Sequence, residues 1–249
     1  MTTYLIAALV TLAFTIVLTV AGLGAAFILV PVYLALGVGM HSAQATALLL
    51  NAIAMAFACI RFIPAKLVSF RIAIPIVIVA TVLSPLGAYT SSFVPVTTLK
   101  WLFIGFLIFA AIMMLFYKPK TQHELAGRGE VLGVGAGVGG AAGFLGGMLG
   151  VGGGNFVVPA LVWLGLDAKR AAGTTAFVVV FASFTGFLGQ ASVAKIDGGL
   201  LAWTAVASVI GALVGSWLMH RRLQASQVKT SIGVLLSFIA ATMAYKLLA

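Results

Sequence analysis

The sequence predicts an all-α polytopic membrane protein made of two inverted-topology repeats. Each repeat holds a glycine-broken helical hairpin and three transmembrane helices. Three observations carry this reading. The chain is 63% hydrophobic and only 7% charged, with a mean hydropathy of +1.23. A soluble domain carries about 25% charged residues, so this surface cannot be wetted. The apolar residues fall into runs of membrane-crossing length. Finally, the glycines and prolines of the first half recur in the second at a constant offset.

The runs span residues 4–36, 44–60, 72–91, 100–117, 131–165, 171–190, 199–219 and 230–248. Six of them have 17 to 21 residues, enough for one crossing each, since about 20 helical residues traverse the hydrocarbon core. The first and fifth, at 33 and 35 residues, are too long. Both are broken by glycine, at AGLGAAF (21–27) and at GVGGGNF (150–156). Glycine costs about 1 kcal/mol per residue relative to alanine inside a helix, so each cluster predicts a break. Helices are expected to restart near Ala25 and near Asn155. The polar stretch YKPKTQHELAGRGE, 117–130, reads as a linker between repeats 1–116 and 131–249.

A shift of 128 residues places Gly22 on Gly150, Gly24 on Gly152, and Val30-Pro31 on Val158-Pro159. It also places Ala43 on Ala171, Thr46 on Thr174, Gly87 on Gly215 and Ile104-Gly105 on Ile232-Gly233. Matched Gly and Pro at one offset mark an internal duplication.

Loop charge decides how the repeats are oriented. If each long run crosses once, the two sides carry 8 and 6 Lys or Arg, and there is no bias. If each turns back at its glycines, one side carries 11: Arg61, Lys66, Arg71, Lys118, Lys120, Arg128, Lys169, Arg170, Arg221, Arg222 and Lys229. The other then carries 3, Lys100, Lys195 and Lys246. The positive-inside rule selects the second arrangement. The linker is then cytoplasmic, both termini face outside, and the second half is inverted relative to the first. The N-terminus, without a basic n-region, reads as part of the mature chain.

Broken helices in inverted repeats are the sequence signature of a transporter site. A helix starting at a glycine turn presents unpaired N–H groups and the positive end of its dipole. Glycine lets an anion approach that backbone closely. The candidate substrate-binding residues are therefore Gly150, Gly152, Gly153, Gly154 and Asn155, with Gly22 and Gly24 in the first hairpin. Polar neutral residues inside the spans complete the set: Gln44, Thr46 and Asn51 in the second run, and Thr174, Thr175 and Gln190 in the sixth, where Ser183 also lies.

Other readings fail. The net charge of +10 is scattered, with no basic stripe. GAGVGG, 135–140, has the dinucleotide spacing but sits in a membrane run with no strand before it. Small residues at 133, 137, 139, 143, 146, 147 and 150 read instead as close helix contacts. The single cysteine, Cys59, excludes an internal disulfide and reads as packing. His41, His123 and His220 form no ligand cluster, and no nucleophile–base set is visible. No metal, no cofactor and no enzymatic activity are expected.

The segment Gly143 to Pro159, G-x-x-G-G-x-x-G-V-G-G-G-x-x-x-V-P, resembles the signature of the TauE/SafE family of sulfite and organosulfonate exporters. A degenerate copy runs from Gly22 to Pro31, followed by Ala43-x-x-Thr46. There Ala25, Ala26 and Phe27 stand where the second copy has Gly153, Gly154 and Asn155. The resemblance covers nearly the whole chain. It implies a multi-pass transporter of the bacterial cytoplasmic (inner) membrane that exports a small anion, sulfite or an organosulfonate, by alternating access. The expected partners are that anion and the lipid bilayer, with no nucleic acid and with homodimerisation open. An anion channel or a membrane accessory protein are the alternatives.

Overall fold

The computed structural model describes residues 2–91, 93, 95–116, 128–191, 194 and 196–248. Every regular element among them is an α-helix. In chain order these are α1 (Thr2–Val20), α2 (Ala26–Ala35), α3 (Met40–Phe62), α4 (Phe70–Thr90), α5 (Val96–Phe116), α6 (Arg128–Leu149), α7 (Gly154–Trp163), α8 (Ala168–Ala191), α9 (Gly198–Arg221) and α10 (Ala225–Leu248). Six of the helices are long and apolar enough to cross a membrane, namely α3, α4, α6, α8, α9 and α10. Large apolar side chains such as Ile78, Val82, Phe109, Val206 and Phe238 face outward, as lipid contact requires.

Both long apolar runs break at their glycines. α1 gives way to α2 across residues 21–25, and α6 to α7 across 150–153. Helix α7 starts at Gly154 and α2 at Ala26, each one residue from its sequence-based position. The backbone repeats with the sequence: Gly22, Gly24 and Gly37 have φ of 69°, 74° and 85°, and Gly150, Gly152 and Gly165 have 70°, 72° and 93°. Only glycine enters this left-handed region without cost. The linker expectation is trimmed, because Arg128, Gly129 and Glu130 form the first turn of α6, where Glu130 meets the positive helix end. Residues 117–127 of that linker lie outside the described residues.

Contacts fix the helix directions. Helices α1 and α9 run side by side in the same direction, from Tyr4 beside Asp197 to Thr15 beside Gly211 and Thr19 beside Gly215. Helices α4 and α6 do likewise, from Pro75 beside Gly135 to Ala80 beside Gly143 and Ser84 beside Gly147. Helices α3 and α8 run in opposite directions: His41 meets Gln190, Asn51 meets Ser183, and Leu67 meets Thr174. The glycines make these approaches possible, since a Cβ at Gly143 would fall 2.6 Å from the Ala80 Cα. Small residues let backbones come together where lipid supplies no hydrophobic drive. The spacing expectation needs one correction. Gly139, Gly143 and Gly147 face α4, joined by Gly135, whereas Gly133 and Gly137 face open space.

The same contacts recur at the repeat offset. Gly87 lies against the Phe144 carbonyl, and Gly215 against the Ile16 carbonyl. Gly22 lies against Ala172, and Gly150 against Gln44. The basic loops also share one end of the bundle. Lys169 Nζ donates to the His220 carbonyl at 3.4 Å, which joins the start of α8 to the end of α9. Leu67, beside Lys66, touches Gly173 four residues past Lys169. At that end Arg222 lies 5.4 Å over the Trp217 ring. The opposite end holds Tyr4, whose hydroxyl donates to Asp197 Oδ2 at 2.8 Å. Cys59 is buried within α3.

Candidate functional site

The site is built where the two hairpin turns meet the middle of α3 and α8. Gly154, the first residue of α7, abuts the Leu23 carbonyl in the first turn and lies 3.0 Å, by its virtual Cβ, from Val179 Cγ2. A Cβ at Gly24 would overlap the Asn51 amide, 2.7 Å from its Cγ. A Cβ at Gly152 would overlap the Ser183 hydroxyl and come within 2.8 Å of Asn51 Nδ2. Asn51, halfway along α3, is thus held between the two turns, and its Nδ2 donates to Ser183 Oγ at 2.9 Å. Its Oδ1 has no partner. Rotating the amide reverses its roles: Oδ1 then accepts from Ser183, and Nδ2 becomes a free donor aimed elsewhere.

Asn155 is the most unusual group. It is 1% exposed, and neither Oδ1 nor Nδ2 has a hydrogen-bond partner. Such a group normally costs 1–3 kcal/mol per unpaired atom. Pro159 has no N–H, so the Asn155 carbonyl also lacks its helical i+4 donor. Asn155 is not the helix cap, because Gly153 fills that position at φ 75° with no side-chain cap bond. The amide is therefore not committed to closing the helix end. In the first turns the Phe156 and Val157 amides donate to the Gly153 carbonyl and those of Ile28 and Leu29 to the Ala25 carbonyl, which leaves the first two amides of each helix without an acceptor in their own helix. The start of α7 abuts the first turn at the Leu23 carbonyl, Gly24 and Gly152 flank the rotatable Asn51 amide, and the unpaired Asn155 amide lies in the opening turn of α7. That set can hold a desolvated anion through neutral donors.

The remaining predicted residues spread along the α3/α8 seam. Gln44 lies against Gly150, and Gln190 accepts or shares a bond with His41 Nδ1 at 3.4 Å while its Nε2 stays unpartnered. Thr174 is committed elsewhere: its hydroxyl receives the Ser69 amide at 3.0 Å and faces the Leu67 carbonyl, pinning the α3–α4 loop. Thr175 is buried with an unpartnered hydroxyl. Thr46 is buried near the other end of the seam. Thr46 and Thr174, repeat mates in sequence, do not meet. The antiparallel rungs set them about 12 residues apart along α8, roughly 18 Å at 1.5 Å per residue. Gly22 and Gly153 face backbone, the first Ala172 and the second Ala142, and so shape the turns. Ser183, noticed as polar but not counted among the binding residues, is central. Its repeat position gave no signal, because the mate of Asn51 is Val179, one helical turn earlier.

A model of the family described as sulfite exporter TauE/SafE matches residues 6–243. The chain belongs to the TauE/SafE family. Two relatives from Bacillus subtilis (strain 168) are similar to it. The probable membrane transporter protein YdhB is 31% identical over 147 residues, which covers 55% of this chain and 58% of that protein. The probable membrane transporter protein YunE is 33% identical over 118 residues, covering 45% of this chain and 41% of that protein. The alignments thus span about half the length of these relatives. No solved structure matches the chain. As a TauE/SafE member with six membrane-competent helices among the described residues, the protein is a multi-pass membrane protein.

Proposed function

We propose that this TauE/SafE protein exports a small oxyanion, sulfite or an organosulfonate, bound where the N-termini of α7 and α2 meet Asn51 and Ser183. The observation that carries the reading is Asn155: a fully buried amide with both polar atoms unpaired, at the opening turn of a broken helix. Evolution tolerates such a cost where a ligand repays it. The first hairpin, with Phe27 in the equivalent place, contributes helix polarity and the Gly24 approach to Asn51. Neutral donors favour a singly charged, desolvated anion, since no Lys or Arg is buried among the described residues to compensate more charge.

The transport cycle follows from the two-fold arrangement. Helices α3 and α8 occupy equivalent places in the two halves and run antiparallel, while α1 with α9 and α6 with α4 run parallel. This supports inverted repeats whose hairpins enter from opposite faces. Rocking one half against the other then exposes the turns alternately to each side. The clustering of Lys169, Arg170 and Arg221 with the α3–α4 loop supports a cytoplasmic location for that end. An inside-negative potential drives a monovalent anion outward by about 2.3 kcal/mol per 100 mV. Purified protein should bind sulfite or one of a panel of sulfonates, and proteoliposomes should show saturable counterflow of that anion. Large unitary currents without counterflow would instead indicate a channel, and absence of binding to the whole panel would overturn the substrate class.

A further inference from the structure

A second polar seam lies between α1, α2 and α9 and includes neither Asn51 nor Asn155. Thr11, Thr15 and Thr19 rise along one face of α1; Thr11 lies beside Tyr33 of α2, and Thr204 of α9 lies near the same tyrosine. All five are 0% exposed. Thr11 Oγ1 and Tyr33 OH lie 3.0 Å apart, and Thr204 donates to the Leu200 carbonyl at 2.6 Å. Thr15 and Thr19 differ: each hydroxyl is buried and has no partner.

Helix packing does not explain these hydroxyls. At the repeat offset of 128, Thr11, Thr15 and Thr19 correspond to Gly139, Gly143 and Gly147, while Tyr33 corresponds to Leu161 and Thr204 to Ile76. The equivalent interface, α4 with α6, closes with no hydroxyl at any of these places. On α9, Gly211 and Gly215 yield to Thr15 and Thr19, with virtual Cβ atoms 2.9 Å from each threonine Cβ. Valine would fill the same volume without burying an unpaired oxygen.

The electrostatics indicate what the oxygens would hold. Thr19 sits in the last turn of α1, at the negative end of that helix dipole. The chain has four Asp and Glu in total, and those among the described residues, Glu130, Asp167 and Asp197, all lie at helix starts. A divalent cation would be left uncompensated, whereas neutral hydroxyl and carbonyl oxygens at a helix C-terminus suit a monovalent one. We propose that Thr15 and Thr19 are ligands of an alkali-metal cation, with Na+ as the probe, bound at the end of α1. The two sides of one broken helix then carry opposite charge preference: a cation at the C-terminus of α1 and an anion at the N-terminus of α2. Occupancy of each favours the other, and the effect is reciprocal.

The test is thermal unfolding of purified protein at constant ionic strength, with NaCl exchanged for choline chloride and no transported anion added. Wild type should show a saturable, Na+-specific rise of several degrees. The Thr15→Val/Thr19→Val protein should lose that rise while its midpoint in choline stays equal or higher, and Thr19→Ser should keep it. Asn155→Leu should also keep it, which separates this proposal from the anion-site reading. Equal midpoints in Na+ and choline for wild type overturn the proposal, whether or not the double variant folds. So does a full Na+ response in Thr15→Val/Thr19→Val.

Discussion

Replacing Asn155 by leucine separates function from stability. The two side chains have the same branched heavy-atom outline, so Asn155→Leu swaps an amide for two somewhat bulkier methyl groups, whose extra volume offsets part of the relief. In the structure both amide atoms are buried and unpaired. Each such atom costs about 1–3 kcal/mol. Partial relaxation lowers the sum, and we take about 1–2 kcal/mol as the relief on substitution. For a chain of this size 1 kcal/mol moves the midpoint by about 2–4 °C, so the ligand-free variant should melt roughly 2–8 °C higher than wild type. Its anion affinity should fall at least tenfold, which is about 1.4 kcal/mol. Scanning fluorimetry without ligand and isothermal titration with the best-binding anion read the two effects. A variant that is less stable without anion would show the amide to be a structural bond, and the reasoning would be wrong. A more stable variant with unchanged affinity would remove Asn155 from the site.

Gly24→Val places a branched side chain at φ 74° on top of the Asn51 amide. It should cost at least about 2 kcal/mol and lower the yield of monodisperse protein, whereas Gly133→Val, facing open space, should change the stability by less than about 1 kcal/mol. At the Tyr4–Asp197 contact, the Tyr4 hydroxyl first, and then the Leu200 and Gly199 amides, hold the Asp197 carboxyl below the usual carboxylate range. A lowered pKa gives stability that is complete above the ordinary carboxylate pKa and lost as pH falls through the lowered one. Asp197→Asn should therefore flatten the acid limb of the melting profile by lowering the midpoint at neutral pH toward its acid value; an unaltered acid limb would count against the contact. In a Cys59→Ser background, a cysteine at Asp197 should react with an impermeant reagent in intact cells, and one at Arg221 only after lysis. The reverse pattern would invert the proposed orientation.

Composition and run length were sufficient to announce a bundle of membrane helices, because lipid leaves the backbone few ways to satisfy its polar groups. The glycine clusters located both breaks to within a residue, since a left-handed backbone at Gly22, Gly24, Gly150 and Gly152 is a local property. Apolar run length misjudged the helix ends: α10 begins at Ala225 rather than near 230, because Ser226, Gln227 and Lys229 are helical without being apolar. The candidate site was legible only in part. Asn51, Asn155 and the turn glycines were picked out as polar or flexible groups in apolar surroundings, which any sequence displays. Which of them meet was decided by helix direction. Because α3 and α8 run antiparallel, the repeat mates Thr46 and Thr174 are driven to opposite ends of the seam, while Asn51 meets Ser183, a residue one turn from its mate. The unpaired hydroxyls of Thr15 and Thr19 were invisible for the same reason: whether a threonine finds a partner depends on the helix laid beside it, and that choice is made by tertiary packing alone.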